Sequence, residues 1–195
     1  QLLGGGSTRG PLFSDVVWAF GKWWAMGEGL YTSSDCLNWT WPNEPGTQTQ
    51  GLNLAGAVSD DGKLVIAVWS AGTTTARFHV TTDGVSWTNA DLGVFTQPII
   101  GVAWHAASHR FLAVGGAVNT RLSIKGDRLW DTRKTTPLLY SSADGLSWTA
   151  QTSNAPDKTG WSSARCSASR CVVLGEVGTI VTTDDTSQFT TRRAL

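Results

Sequence analysis

One short acidic turn, closed by an aromatic residue, recurs along this chain and limits its fold more than any other feature. Thr81-Thr82-Asp83-Gly84-Val85-Ser86-Trp87-Thr88 is one copy, and Ser142-Ala143-Asp144-Gly145-Leu146-Ser147-Trp148-Thr149 is another. Ser33-Ser34-Asp35-Cys36-Leu37-Asn38-Trp39-Thr40 has the same frame. Thr182-Thr183-Asp184-Asp185-Thr186-Ser187-Gln188-Phe189 is a looser fourth copy, with one extra residue between Asp184 and its aromatic. Asp, Ser and Thr side chains bond to nearby backbone and hold a tight turn without help from another element. Gly84 and Gly145 supply a position open to positive φ, and the following Trp covers the turn with a large apolar ring.

Four such turns in register mark a repeat fold. The motif resembles the Asp box of the sialidase-like (BNR) propeller families, usually written S-x-D-x-G-x-x-W. Three copies here are one residue shorter between Asp and Trp. The fourth has the longer spacing but lacks Gly and ends in Phe189. The resemblance spans nearly the whole chain at low identity and implies a fold rather than an activity. On it, Asp35, Trp39, Asp83, Trp87, Asp144, Trp148, Asp184 and Phe189 are structural residues of the turns.

Apolar runs of strand length surround each turn. Strands A to C of the first unit fall at residues 15–20, 22–27 and 30–33, and strand D begins at Trp39. The second unit has 54–58, 64–69, 76–80 and 87–89; the third 99–104, 110–114, 138–141 and 148–150; the fourth 161–166, 171–174, 179–182 and 189–191. The aspartates 35, 83, 144 and 184 lie 48, 61 and 40 residues apart. About 40 to 50 residues per four-stranded unit is the period of propeller blades. Within strand B, Ala25, Ala67, Ala113 and Val173 are aligned. The predicted fold is an all-β propeller of four four-stranded antiparallel blades in one domain, with blades near 11–45, 52–96, 98–155 and 159–195. The alternative is a partial propeller completed by another chain or by missing sequence. Residues 1–10 are expected to supply a ring-closing strand, because an open ring leaves an unpaired edge.

Composition narrows the function classes. Lys+Arg and Asp+Glu number 15 each and only 15% of residues are charged, so no global field draws the chain to nucleic acid. No apolar run reaches the roughly 20 residues of a membrane helix. The chain begins at Gln1, which reads as a processed or partial product. Cys166 and Cys171 flank a tight reversal. Either they form a disulfide, worth about 2 kcal/mol for so small a loop, or they are two buried thiols. Similar pairs occur in secreted Asp-box proteins. Cys36 stands at the glycine position of its turn, is expected to be exposed, and is either inert or bonded to another chain. Asn38-Trp39-Thr40 is a glycosylation acceptor in a secreted eukaryotic protein.

The long gap between the second and third turns comes from an insertion at residues 118–137. It carries Arg121, Lys125, Arg128, Arg133 and Lys134 against Asp127 and Asp131, together with Trp130. Loops on a rigid scaffold carry most function. Trp69, Arg121, Lys125, Arg128, Trp130, Arg133 and Lys134 are therefore the candidate contact residues, on the end opposite the aspartate turns; an ornamental loop is the competing reading. A sialidase needs a Tyr/Glu nucleophile pair, an arginine triad and an Asp acid. The two tyrosines, Tyr31 and Tyr140, directly precede turns, and Glu28 and Glu176 follow Gly at B–C turns. His79, His105 and His109 lack zinc-site spacing, and no phosphate loop is present. No catalytic residue, metal or cofactor is predicted. The leading expectation is a non-enzymatic extracellular or surface module that binds glycan or protein or builds a larger assembly. A glycosidase-type propeller is one alternative. A second is an assembly-factor-like propeller, resembling those that help build photosystem II.

Overall fold

The computed structural model describes residues 12–41, 52–70, 75–94, 98–116, 137–155 and 160–193. It contains only strands and one short 3-10 turn, Glu176–Gly178, among those residues. The strands are β1 (Phe13–Ala19), β2 (Lys22–Gly27), β3 (Leu30–Ser33), β4 (Leu52–Val58), β5 (Leu64–Ser70), β6 (Thr75–Thr81), β7 (Thr88–Val94), β8 (Ile99–His105), β9 (Arg110–Gly115), β10 (Leu138–Ser142), β11 (Thr149–Ala150), β12 (Trp161–Cys166), β13 (Cys171–Gly175), β14 (Thr179–Thr183) and β15 (Thr190–Arg193). They form four antiparallel meanders in chain order: β1-β2-β3, β4-β5-β6-β7, β8-β9-β10-β11 and β12-β13-β14-β15. In the first, the fourth strand is reduced to a bridge between Thr32 and Thr40. Each first strand carries a register shift near its start, at Phe13/Asp15, Asn53/Ala55, Ile99/Gly101 and Trp161/Ser163. The repeat thus extends to the irregularities.

The four sheets are blades set around the first strands. A small sheet cannot bury both its faces alone. Here each inner face meets its neighbour. Trp24 and Met26 of blade 1 pack on Leu64, Ile66 and Val68 of blade 2. Val65, Ala67 and Phe78 of blade 2 pack on Phe111, Ala113 and Val102 of blade 3. Leu112, Val114 and Leu139 of blade 3 pack on Cys171, Val173 and Phe189 of blade 4.

The pairing corrects one alignment. Trp23, Leu64, Phe111 and Cys171 lie opposite Ser33, Thr81, Ser142 and Thr183, the first hydroxyl residue of each turn. The strand-B residue matching Ala25, Ala113 and Val173 is therefore Ile66, not Ala67. Both faces of β5 are apolar, so composition concealed a one-residue slip. The pair Cys166–Cys171 forms a disulfide. It occupies the register position that holds Trp18 and Trp23 in blade 1 and Trp104 and Phe111 in blade 3. A covalent bond in blade 4 thus replaces an aromatic pair.

Candidate functional site

The turns show what their residue types are for. Ser33, Thr81, Ser142 and Thr183 donate their hydroxyls to an aspartate at 3.0, 3.0, 2.9 and 3.1 Å. That aspartate accepts two backbone N–H groups: Leu37 and Asn38 at 2.9 and 2.8 Å in the first turn, Val85 and Ser86 at 2.8 and 2.7 Å in the second. In the third they come from Leu146 and Ser147 at 2.8 and 2.7 Å, and in the fourth from Ser187 and Gln188 at 2.9 and 2.8 Å. The fourth aspartate is Asp185, not Asp184. Asp184 instead pairs at the surface with Arg170 at 2.6 Å. With Asp185 in place, Phe189 stands four residues on, as in the other copies, and the extra residue disappears. Thr186 takes the positive φ (62°) that Gly84 and Gly145 take elsewhere, and Cys36 does the same at 62°.

These bonds decide the chemistry of the carboxylates. The backbone N–H groups of Val85 and Ser86 hold Asp83 down at about 2, and those of Gln188 and Ser187 hold Asp185 at about 2. Desolvation pushes Asp144 upward, but Ser147 and Leu146 outweigh it and leave it at about 2. Asp35, bonded by the backbone and side chain of Asn38 and by Leu37, lies well below the usual carboxylate range. A general acid needs the opposite shift.

The motif aromatics share a position but not an environment. Trp87 meets Trp24 of blade 1 edge-on at 5.6 Å, and Trp148 stacks on Phe78 of blade 2 at 4.0 Å. Phe189 is buried against blade 3. Among the described residues no blade precedes that of Trp39, which is 38% exposed, its indole N–H turned back to the Cys36 carbonyl. It lines a cleft of about 720 Å³ on the outer face of blade 1, with Phe13, Ser14, Asp15, Val16, Ala25 and Tyr31. Tyr31 is buried between Phe13 and Trp41, at ring distances of 5.3 and 5.7 Å. Trp18 stands against Trp23 at 5.1 Å on the same face. Asp15 is already engaged, accepting the N–H of Gly56 at 3.2 Å and that of Val16 at 2.9 Å.

A second recess of about 330 Å³ lies between the four first strands, with Asp15, Val58, Trp104 and Arg165 among its walls. The Arg165 guanidinium reaches Asp15 across it at 3.9 Å. Among the sequence-derived contact residues, Trp69 is partly buried against the blade 2–3 core. Arg121, Lys125, Arg128, Trp130, Arg133 and Lys134 lie outside the described residues, as do residues 1–10. Glu28 and Glu176 donate equivalent backbone bonds, to Leu12 and Gly160, so repeat geometry accounts for their positions. The blade 1 cleft is not evident in the sequence, because its aromatics fall at motif and strand positions that each have a structural role elsewhere in the repeat.

Solved structures resembling this arrangement decide the fold. The chain superposes on YCF48 bound to D1 peptide with a TM-score of 0.54 at 11% identity, covering 96% of this chain and 55% of that one. The fold is a β-propeller. U3-55K matches at a TM-score of 0.58 and 11% identity, over 96% of this chain and 53% of its own. A gluconolactonase from Xanthomonas campestris matches at 0.57 and 11% identity, over 88% and 58%. The chain thus spans a little over half the length of these propellers. No family model and no curated protein matches it.

Proposed function

We propose that this propeller is a non-enzymatic binding module that takes a protein partner on the outer face of blade 1. The observation that carries this reading is the cleft in which Phe13, Val16 and Trp39 are exposed around the buried Tyr31. Exposed apolar patches of this kind, rich in aromatics, mark protein contact surfaces. A glycan site needs free polar groups beside its aromatic platform, and Asp15 spends its carboxylate on backbone N–H groups. A propeller of similar fold is found with a bound peptide, which agrees with a protein ligand. The turn carboxylates each accept a hydroxyl and two backbone N–H groups and are held below the usual carboxylate range, which makes them poor acid–base catalysts and weighs against a glycosidase-type activity. The disulfide suits an oxidising compartment and so an extracellular or surface location.

Selection of a displayed peptide library on the immobilised protein tests the reading. Enriched peptides should bind at least tenfold more weakly to Val16→Glu and Trp39→Ala, whose side chains are exposed. Peptides indifferent to both changes would overturn it. So would turnover of a fluorogenic glycoside or lactone abolished by one carboxylate substitution.

A further inference from the structure

The exposed large apolar residues are not scattered. Leu37, Val85 and Leu146 occupy the same tip position of three turns; the others described are Leu12, Phe13, Val16, Trp18, Trp39 and Trp41 in blade 1, and Val172 and Leu174 in blade 4. Val16 and Trp18 pair with Ala25 and Trp23, so they share the face that in blades 2, 3 and 4 packs on the preceding blade. Val172 and Leu174 share the register of Trp24 and Met26, which in blade 1 pack on the following blade. The two uncovered faces are therefore the two halves of the contact already made three times within the chain.

We infer that a second copy of this chain covers them: blade 1 of one copy packs on blade 4 of the other, and the reverse contact closes the pair. This rests on the proposed binding role of the blade 1 face and names its occupant. With strands about 4.8 Å apart and residues of about 3.3 Å, the three-stranded face of blade 1 and the four-stranded face of blade 4 have areas of about 290 and 320 Å², and two contacts cover about 1,200 Å², the lower end of a stable interface. A twofold pair joined at both ends leaves neither face exposed. The Arg165–Asp15 contact spans the opening at 3.9 Å with Arg165 largely exposed, too weak a link to hold it shut.

The internal contacts also predict the register. A Cβ on Gly84 would stand 3.2 Å from the Trp24 ring, and one on Gly145 2.6 Å from Val65. Trp24, Val65 and Val172 hold one register position, opposite Thr32, Val80 and Thr182. Cys36 occupies the Gly84 and Gly145 position in blade 1, so in the pair it lies over Val172 of the second copy. Thr186, fully buried at that position in blade 4, shows that a side chain of this size is accommodated.

The test is Val172→Cys with the native Cys36 retained. Under mild oxidation it should give a covalent dimer on a non-reducing gel, lost when Cys36→Ser is added. Unmodified chain should elute as a dimer by light scattering, and Val16→Glu and Val172→Glu should each weaken it at least tenfold. Where the disulfide does not form, a dimer lost in both Glu variants still supports the pairing. In the Val172→Cys variant, a bond from Cys36 to the introduced thiol of the same chain would show the ring closing on itself and overturn the inference. So would an unmodified chain that stays monomeric, or a dimer indifferent to either Glu change. If the chain is monomeric yet selected peptides still depend on Val16, only the second copy fails and the binding role stands.

Discussion

The blade 2–3 contact and the outer face of blade 1 are built from the same register positions and differ only in having a neighbour. In β5, between two blades, Leu64, Val65, Ile66 and Ala67 are all fully buried. In β13, with one neighbour, burial alternates: Cys171 and Val173 inside, Val172 and Leu174 outside. Trp148 stacks on the preceding sheet, whereas Trp39 at the equivalent position lines an open cleft. The alternation in β13 therefore marks a face that no described sheet covers, whereas in blade 1 β3 and most of β2 stay buried, with Phe13 and Trp41 standing against Tyr31.

The sharpest way to break this comparison is to truncate one aromatic from each face. Phe111→Ala, fully buried between blades 2 and 3, should cost about 3–5 kcal/mol in denaturant unfolding. Phe13→Ala, 54% exposed on the outer face, should cost less than about 1 kcal/mol in the monomer. Equal losses would mean that the blade 1 face is not open. Next in size is the turn glycine. Gly145→Ala puts a Cβ 2.6 Å from Val65 at a φ of 78° and should cost about 2 kcal/mol or more in thermal unfolding. Cys36→Gly, where no described blade precedes, should leave the monomer unchanged or slightly more stable.

The fourth turn gives a smaller contrast. Asp185→Ala removes the acceptor of two backbone N–H groups and should cost about 1–2 kcal/mol, comparable to losing a helix cap. Asp184→Ala breaks only the surface pair with Arg170 and should leave the melting temperature unchanged. Smallest is the pH profile. Burial lowers the pKa of His79 below 6.5, so the unfolded chain takes up its proton more readily. Its contribution to stability is complete above about pH 6.5 and declines as pH falls. Asp83 and Asp185, held at about 2 against the usual 3.8, add a second loss as pH falls from about 4 towards 2. His79→Leu should remove the first step in an acid titration of stability and leave the second.

Much of this was legible in the residues. Hydroxyl, aspartate and aromatic spacing named the turns, and apolar runs named the strands between them. The fourth turn was misread because Asp184 and Asp185 each follow a hydroxyl by two residues, and no glycine marks the positive-φ position that Thr186 fills. Holding the spacing of Asp83 to Trp87 constant would have selected Asp185. The blade 1 cleft was not legible, because exposure depends on which sheet stands next to which.

Local bonding made the turns and strands readable from the sequence, since an aspartate and the N–H groups it accepts lie within three residues of each other. Which faces are covered, which aromatics are free and where a partner could sit were decided only in three dimensions. The packing between blades joins residues tens of positions apart, and the same Ala, Val and Trp serve equally well inside a contact or at its open end.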